Sequence, residues 1–169
     1  MTTFDLRHLR LRLGEVRQER VDVALEPFVF GGQRYEPSPA TIPVELQISQ
    51  ASGAAVFDVR LHAHLVGPCM RCLGYAEVEL DVSAREFYDP DAPPADGLRS
   101  DYVMDNRLEV GVWTRDAIAL ELPEQILCRP ECAGLCPVCG KDLNAEPHEH
   151  VDLEADPRWS ALEELRDRL

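Results

Sequence analysis

The sequence has almost no lysine. Of 17 basic residues, Lys141 is the single lysine and the others are arginine, against 31 acidic residues and a formal charge of −14 over 169 residues. That balance excludes a chain that wraps nucleic acid through its own field, because phosphate binding needs clustered positive charge to displace counterions. Long apolar runs are missing too. None approaches the ~18 residues that a membrane-spanning helix requires. The first residues, MTTFDLRHLRLRLGE, lack the continuous apolar stretch of a secretory signal. The expectation is a soluble, cytoplasmic protein with no membrane contact. There is no Gly-rich phosphate loop and no nucleophile motif, so no enzymatic activity is expected.

What is present is a set of paired ligands. Six cysteines and two histidines fall into Cys69-x2-Cys72, Cys128-x3-Cys132, Cys136-x2-Cys139 and His148-x-His150. In a secreted chain, three disulfides would be the default reading. In a reducing cytosol, close cysteine pairs are more often metal ligands. Structural zinc takes thiolate sulfur and imidazole nitrogen in fours, so the pairs suffice for one or two zinc ions. Two groupings are open. The two C-terminal cysteine pairs can form a single site, with only three residues between the middle ligands. Alternatively, Cys69, Cys72, Cys128 and Cys132 form an all-thiolate site, while Cys136, Cys139, His148 and His150 form a mixed one. The second grouping uses every ligand and is preferred. A catalytic zinc keeps an open position and a nearby general base; this ligand-rich set predicts structural sites.

Alternation dominates the first half. Ile42, Val44, Leu46 and Ile48 predict a strand over 42–49. Over 55–66, Val59, Leu61, Ala63 and Leu65 share one face, and Arg60, His62 and His64 the other. Tyr75 to Phe87 alternates Val78, Leu80 and Val82 with Glu77, Glu79 and Asp81. The turn-forming stretch from Gly67 to Gly74 lies between, so the first cysteine pair is expected at the tip of a β-hairpin. Residues 5–30 read as strand-like segments broken near Gly14 and ended by Gly31-Gly32. Residues 89–100, DPDAPPADGLRS, predict a mobile acidic loop, and 110–122 a helix stopped by Pro123. Residues 124–155 have little periodicity, as suits a region organised by metal. Asp156-Pro157-Arg158-Trp159 opens a terminal helix striped with Trp159, Leu162, Leu165 and Leu169. The expected fold class is α+β, mainly antiparallel sheet with a zinc knuckle at a hairpin tip and one or two short helices. The expected organisation is a β-rich domain over 1–123 and a metal-stapled C-terminal region over 124–169 that packs on the first knuckle.

The charge is uneven. Residues 1–85 hold 11 acids and 9 bases, whereas residues 86–169 hold 20 acids and 8 bases. The N-terminal Arg7, Arg10, Arg12, Arg17 and Arg20 sit among Asp5, Glu15 and Glu19, which supports no more than a weak RNA contact.

Together these motifs resemble a known family. They are Cys69-Met70-Arg71-Cys72-Leu73 between two strands, the helix end Leu122-Pro123, the run from Leu127-Cys128 through Cys139-Gly140-Lys141-Asp142-Leu143-Asn144, and the closing Asp156-Pro157-Arg158-Trp159. The combination, over most of residues 40–169, is similar to the YceD family, the large ribosomal RNA subunit accumulation proteins of bacteria and chloroplasts. The resemblance implies a role in accumulating large-subunit ribosomal RNA and no known enzymatic activity. Many such relatives carry a second Cys-x-Cys where this chain has His148-Glu149-His150. With that resemblance, the acidity suggests a basic ribosomal protein or a large-subunit assembly intermediate as partner. The competing reading is a metal-handling or thiol redox protein using the same cysteines.

Overall fold

Alternating apolar and polar residues between Val16 and Tyr88 become one antiparallel sheet. The computed structural model describes residues 2–7, 9, 11–51, 54–93 and 96–150. The helix expected after Asp156-Pro157 lies outside the described residues. Among the described residues the chain forms β1 (Phe4–Asp5), β2 (Val16–Ala24), β3 (Phe28–Phe30), β4 (Gln33–Pro37), β5 (Thr41–Ala51), β6 (Ala54–Pro68), β7 (Tyr75–Tyr88), β8 (Val103–Met104), β9 (Arg107–Leu108) and the helix α1 (Val110–Glu121).

The axis of the sheet is β6. Along one edge it pairs with β7, from Ala55↔Tyr88 to Pro68↔Tyr75. Its other edge is shared: β5 takes the first half through Glu45↔Arg60, and β4 takes the end through Glu36↔Val66 and Pro37↔Leu65. Outside β5 lies β2, and outside β4 lies β3. A small separate sheet of order β1-β9-β8 accompanies it. Among the described residues the architecture is mainly antiparallel β with one short helix, consistent with α+β.

Side-chain alternation sorts this sheet into two faces. Ile42, Val44, Leu46 and Ile48 of β5, Val59, Leu61, Ala63 and Leu65 of β6, and Leu80 and Val82 of β7 are all buried. Across them α1 lays Val110, Trp113, Ala117 and Ile118, which join the same core. Arg60, His62, Glu77, Glu79 and Asp81 are exposed on the reverse face. There His62 Nδ1 sits 3.0 Å from Asp81 Oδ1, and His64 Nε2 sits 3.3 Å from Glu77 Oε2. The helix ends where Leu122 turns extended ahead of Pro123, since proline's ring disfavours helical backbone in the residue before it.

The described part of 89–100 is irregular, with its ends joined by the Asp89 N–H donating to the Leu98 carbonyl at 2.8 Å. Beyond the helix, the described residues 124–150 contain no strand or helix, only an isolated bridge between Leu135 and Asp142. In that segment burial is confined to Ile126, Cys132, Gly134 and Cys136. No helix of the described residues is long and apolar enough to cross a membrane.

Candidate metal centres

At the far end of β6 and β7 the chain must reverse within six residues. The Leu73 N–H donates to the Cys69 carbonyl at 3.0 Å, and the Cys69 N–H donates to the Gly74 carbonyl at 2.6 Å. This turn aims the Arg71 N–H at Cys69 Sγ, 3.4 Å away. Below it, fully buried Tyr35 of β4 donates its hydroxyl to the Pro68 carbonyl at 3.0 Å. The turn is therefore mounted on the sheet rather than hanging from it.

The segment after α1 returns to the same turn. The Met70 N–H donates to the Ile126 carbonyl at 2.9 Å, and the Leu135 N–H to the Arg71 carbonyl at 3.0 Å. Arg71 also reaches across, with Nη1 donating to the Cys132 carbonyl at 3.1 Å and Nε to Gln125 Oε1 at 3.2 Å. Gly134 permits this approach. Its φ is +80°, and a Cβ there would stand 3.2 Å from the Arg71 carbonyl oxygen.

The result is a cluster of four sulfurs. Cys69 Sγ lies 3.8 Å from Cys132 Sγ, and Cys72 Sγ lies 3.7 Å from Cys128 Sγ. All four sulfurs lie within 4.8 Å of one another. Tetrahedral zinc with bonds of ~2.3 Å places its sulfurs ~3.8 Å apart, so the spacing fits the ion. A disulfide, at about 2.05 Å between sulfurs, does not fit these pairs.

The second turn repeats the first. The Gly140 N–H donates to the Cys136 carbonyl, and the Cys136 N–H to the Lys141 carbonyl, both at 2.8 Å. Gly140 takes the position that Leu73 takes in the first turn, with φ of +73° against +61°. Opposite it, His148 Nδ1 lies 2.7 Å from the Glu146 carbonyl oxygen. A carbonyl only accepts, so Nδ1 carries the proton and Nε2 presents its lone pair. That Nε2 is 3.1 Å from Cys139 Sγ. The His150 ring stands edge-on to His148 with centroids 5.0 Å apart. Ligand atoms of Cys136, Cys139, His148 and His150 all lie within 4.8 Å of one another. The structure thus assembles the two preferred groups of four; the C-terminal cysteine pairs do not form a cluster of their own.

Protonation shows what the clusters call for. Burial pushes the Cys69 thiol up, but backbone N–H groups of Cys72, Cys128 and Arg71 outweigh it and bring the thiol down to about 6. Cys132 is lowered in the same way: burial opposes, and the Asn144 amide and the Gly134 N–H prevail. Burial and the neighbouring sulfurs push Cys128 up to about 12. The Gly74 N–H favours the Cys72 thiolate, yet burial and the sulfurs of Cys132 and Cys69 leave it raised. Four adjacent thiols cannot all ionise by themselves. A divalent cation among them removes that conflict, as structural zinc does with thiolates. In the second cluster, the Cys139 N–H, against an opposing burial effect, holds Cys136 down at about 6. The hydrogen bond to the Glu146 carbonyl raises His148.

The sequence reading missed three side chains that shape these clusters: Tyr35, Arg71 and Asn144. Asn144 Nδ2 donates to Cys132 Sγ at 3.5 Å. No metal-ligand spacing points to it. Of the N-terminal arginines, Arg17 donates to Glu19 Oε1 at 2.6 Å.

Comparison with known proteins adds a family setting. The family model described as large ribosomal RNA subunit accumulation protein YceD matches residues 57–166, a span that contains every clustered ligand. An uncharacterized protein of Mycobacterium tuberculosis is 34% identical over 131 residues, covering 75% of this chain and 62% of the relative. An uncharacterized Mycobacterium leprae protein is 29% identical over 131 residues, with 75% and 59% covered. The uncharacterized protein YlbN of Bacillus subtilis is 30% identical over 113 residues, with 64% of each covered. The chain therefore spans about three fifths of the length of these relatives. No solved structure matches.

Proposed function

The chain belongs to the YceD family of large ribosomal RNA subunit accumulation proteins, and from that premise we propose that it is a non-catalytic, zinc-stabilised factor for large-subunit assembly in the cytoplasm. The observation that carries the reading is the pair of four-ligand clusters inside the matched span. Cys69, Cys72, Cys128 and Cys132 would hold one zinc ion, and Cys136, Cys139, His148 and His150 a second. Bound there, zinc supplies a crosslink between segments that share little apolar surface. Four protein ligands at each centre leave no open position for chemistry. Arg71 and Gly134 fix the spacing of the two thiolate pairs, and Tyr35 fixes the first turn to the sheet.

The acidic chain then meets the assembling subunit through a basic ribosomal protein. A formal charge of −14 repels bare RNA phosphate and speeds encounter with a basic partner. The N-terminal arginines contribute at most a weak RNA contact. Deleting the gene is expected to lower mature large-subunit RNA relative to small-subunit RNA; an unchanged ratio would remove the assembly role. The purified chain should bind naked ribosomal RNA weakly at physiological salt. Tight, salt-steep binding would keep the role and overturn the partner-protein route.

A second reading, metal handling or thiol redox chemistry, draws on the exposure of Cys128 and Cys139. The two separate by lability. A structural centre resists mild chelators and oxidants, whereas a carrier or redox centre gives up its metal to them.

A further inference from the structure

We propose that the two metal centres are coupled, with Asn144 as the positioning residue that joins them. The inference rests on the zinc assignment above and adds a property that neither cluster has alone. Asn144 lies in the loop between the two ligand pairs of the second cluster, yet its side chain serves the first. Its Nδ2 donates to Cys132 Sγ at 3.5 Å and to Asp142 Oδ1 at 2.7 Å. Its Oδ1 accepts from the Ala133 N–H at 2.9 Å and from Arg129 Nη2 at 2.6 Å. Two donors face the oxygen and two acceptors face the nitrogen, so the surroundings leave one orientation of the amide.

The same loop leads on to the second cluster. The Asn144 N–H donates to Asp142 Oδ1 at 2.9 Å. The Glu146 N–H donates to the Asp142 carbonyl at 2.9 Å. The Glu146 carbonyl in turn accepts from His148 Nδ1 at 2.7 Å, which aims Nε2 at the metal position. Hydrogen bonds, joined through the covalent frames of Asp142 and Glu146, thus link Cys132 Sγ to His148. The Leu143 N–H, donating to the Gly134 carbonyl at 2.9 Å, closes the loop onto the chain between Cys132 and Cys136.

The path has an energetic consequence. A donor to a metal-bound thiolate lowers the charge the metal must balance and fixes the sulfur's direction. Filling the second cluster ties the loop at Cys139 and His148. The loop then offers Asn144 to Cys132 already ordered, and the entropy of placing it is not charged to the first centre. By linkage, metal in the first centre raises affinity at the second by the same factor. The two ions therefore bind cooperatively.

The test is a double-mutant cycle on the full chain, with zinc affinity of the all-cysteine centre read by competition against a chromogenic chelator. Replacing His148 and His150 by Ala disables the second centre. Partners outside a metal's own ligands are worth ~10–100-fold in affinity, so the expected loss at the first centre is about tenfold. Asn144→Ala should cause a similar loss. Combining the changes should add nothing, because each breaks the same path. An unchanged first-centre affinity in the histidine variant overturns the coupling, as do losses that multiply in the combined variant. Should Asn144→Ala fail to fold, the histidine variant still decides. Cadmium-substituted protein gives a second readout. The resonance of the all-sulfur cadmium should move when the histidines are replaced in the Asn144 chain, and a static resonance counts against the path. A wild-type chain that takes up no metal removes the zinc assignment itself; two ions bound independently remove only the coupling.

Discussion

The sheet and the region that follows the helix are held by different forces. Between Val16 and Tyr88, order comes from apolar burial, with Val44, Ile48, Phe57, Val59 and Leu65 wholly inaccessible to solvent. Between 124 and 150, Ile126 alone among the large apolar residues is buried. The alternating strands share a core, so their side chains reinforce one another. The ligand region has no such face. Its backbone instead bonds to turns and carbonyls around eight ligand atoms that could hold metal ions, and on the proposed reading a cation supplies what burial does not. The lesson is that one chain can carry two stability codes: period-two alternation where water is excluded, and ligand spacing where it is not.

Removing the metal gives the largest expected contrast. Structural zinc supplies ~10–16 kcal/mol of apparent binding free energy in small peptides. A strong chelator should release residues 124–150 to fast hydrogen exchange while β5 and β6 remain protected. Uniform protection after complete removal would abolish the distinction between the regions.

Phe57→Ala attacks the other code. Phe57 is fully buried in the sheet core, and such truncations cost ~3–5 kcal/mol. Denaturant unfolding of the metal-free chain should show a lowered midpoint in the sheet transition. An unchanged midpoint would mean that the sheet, too, leans on metal.

Tyr35→Phe probes the joint between the regions. It removes the hydroxyl that holds the Pro68 carbonyl just before Cys69, an interaction of ~0.5–1.5 kcal/mol. The sheet midpoint should fall slightly and the first centre should release metal sooner to a chelator. A fall in the midpoint with no change in metal release would show that the turn keeps its shape without the sheet.

Leu73→Gly is expected to have the smallest effect and the opposite sign. Leu73 holds a left-handed φ of 61° where the second turn has Gly140. Relief of that conformation is worth ~1–2 kcal/mol, offset by ~0.5–1 kcal/mol of extra glycine entropy in the unfolded chain. A modest rise in chelator resistance should follow. A clear loss would mean that the leucine side chain, although exposed, contributes to the turn.

The sheet was legible where alternation runs long. Ile42 to Ile48, Val59 to Leu65 and Val78 to Val82 each offer three or more alternations, and each forms the expected strand with the expected face inward. The helix end at Pro123 and the hairpin position of Cys69 and Cys72 followed from residue types with strong local preferences. The spacing left two groupings of ligands open, and the preferred one, which uses every ligand, is the one the structure brings together. Strand β4 did not: Gln33–Pro37 offers only Tyr35 and Pro37 as alternating apolar residues, and its place beside the end of β6 is set by tertiary contact. The two-residue strands β1, β8 and β9 are legible only through each other. Asn144 was quoted in a motif without a role, because its hydrogen bond to Cys132 depends on a loop closing across twelve residues of chain.

The central claim is that two four-ligand centres, built from separate stretches of chain, hold the second region in place. Its most direct test is zinc content, measured by elemental analysis on protein purified without added metal, for the wild type, Cys69→Ser, Cys128→Ser and the double variant. The account predicts two equivalents in the wild type and one in each single variant, with the double variant also keeping one, because Cys69 and Cys128 serve the same ion. A wild-type chain with no zinc and three disulfides would contradict it, and so would a double variant that loses both ions while each single variant loses one.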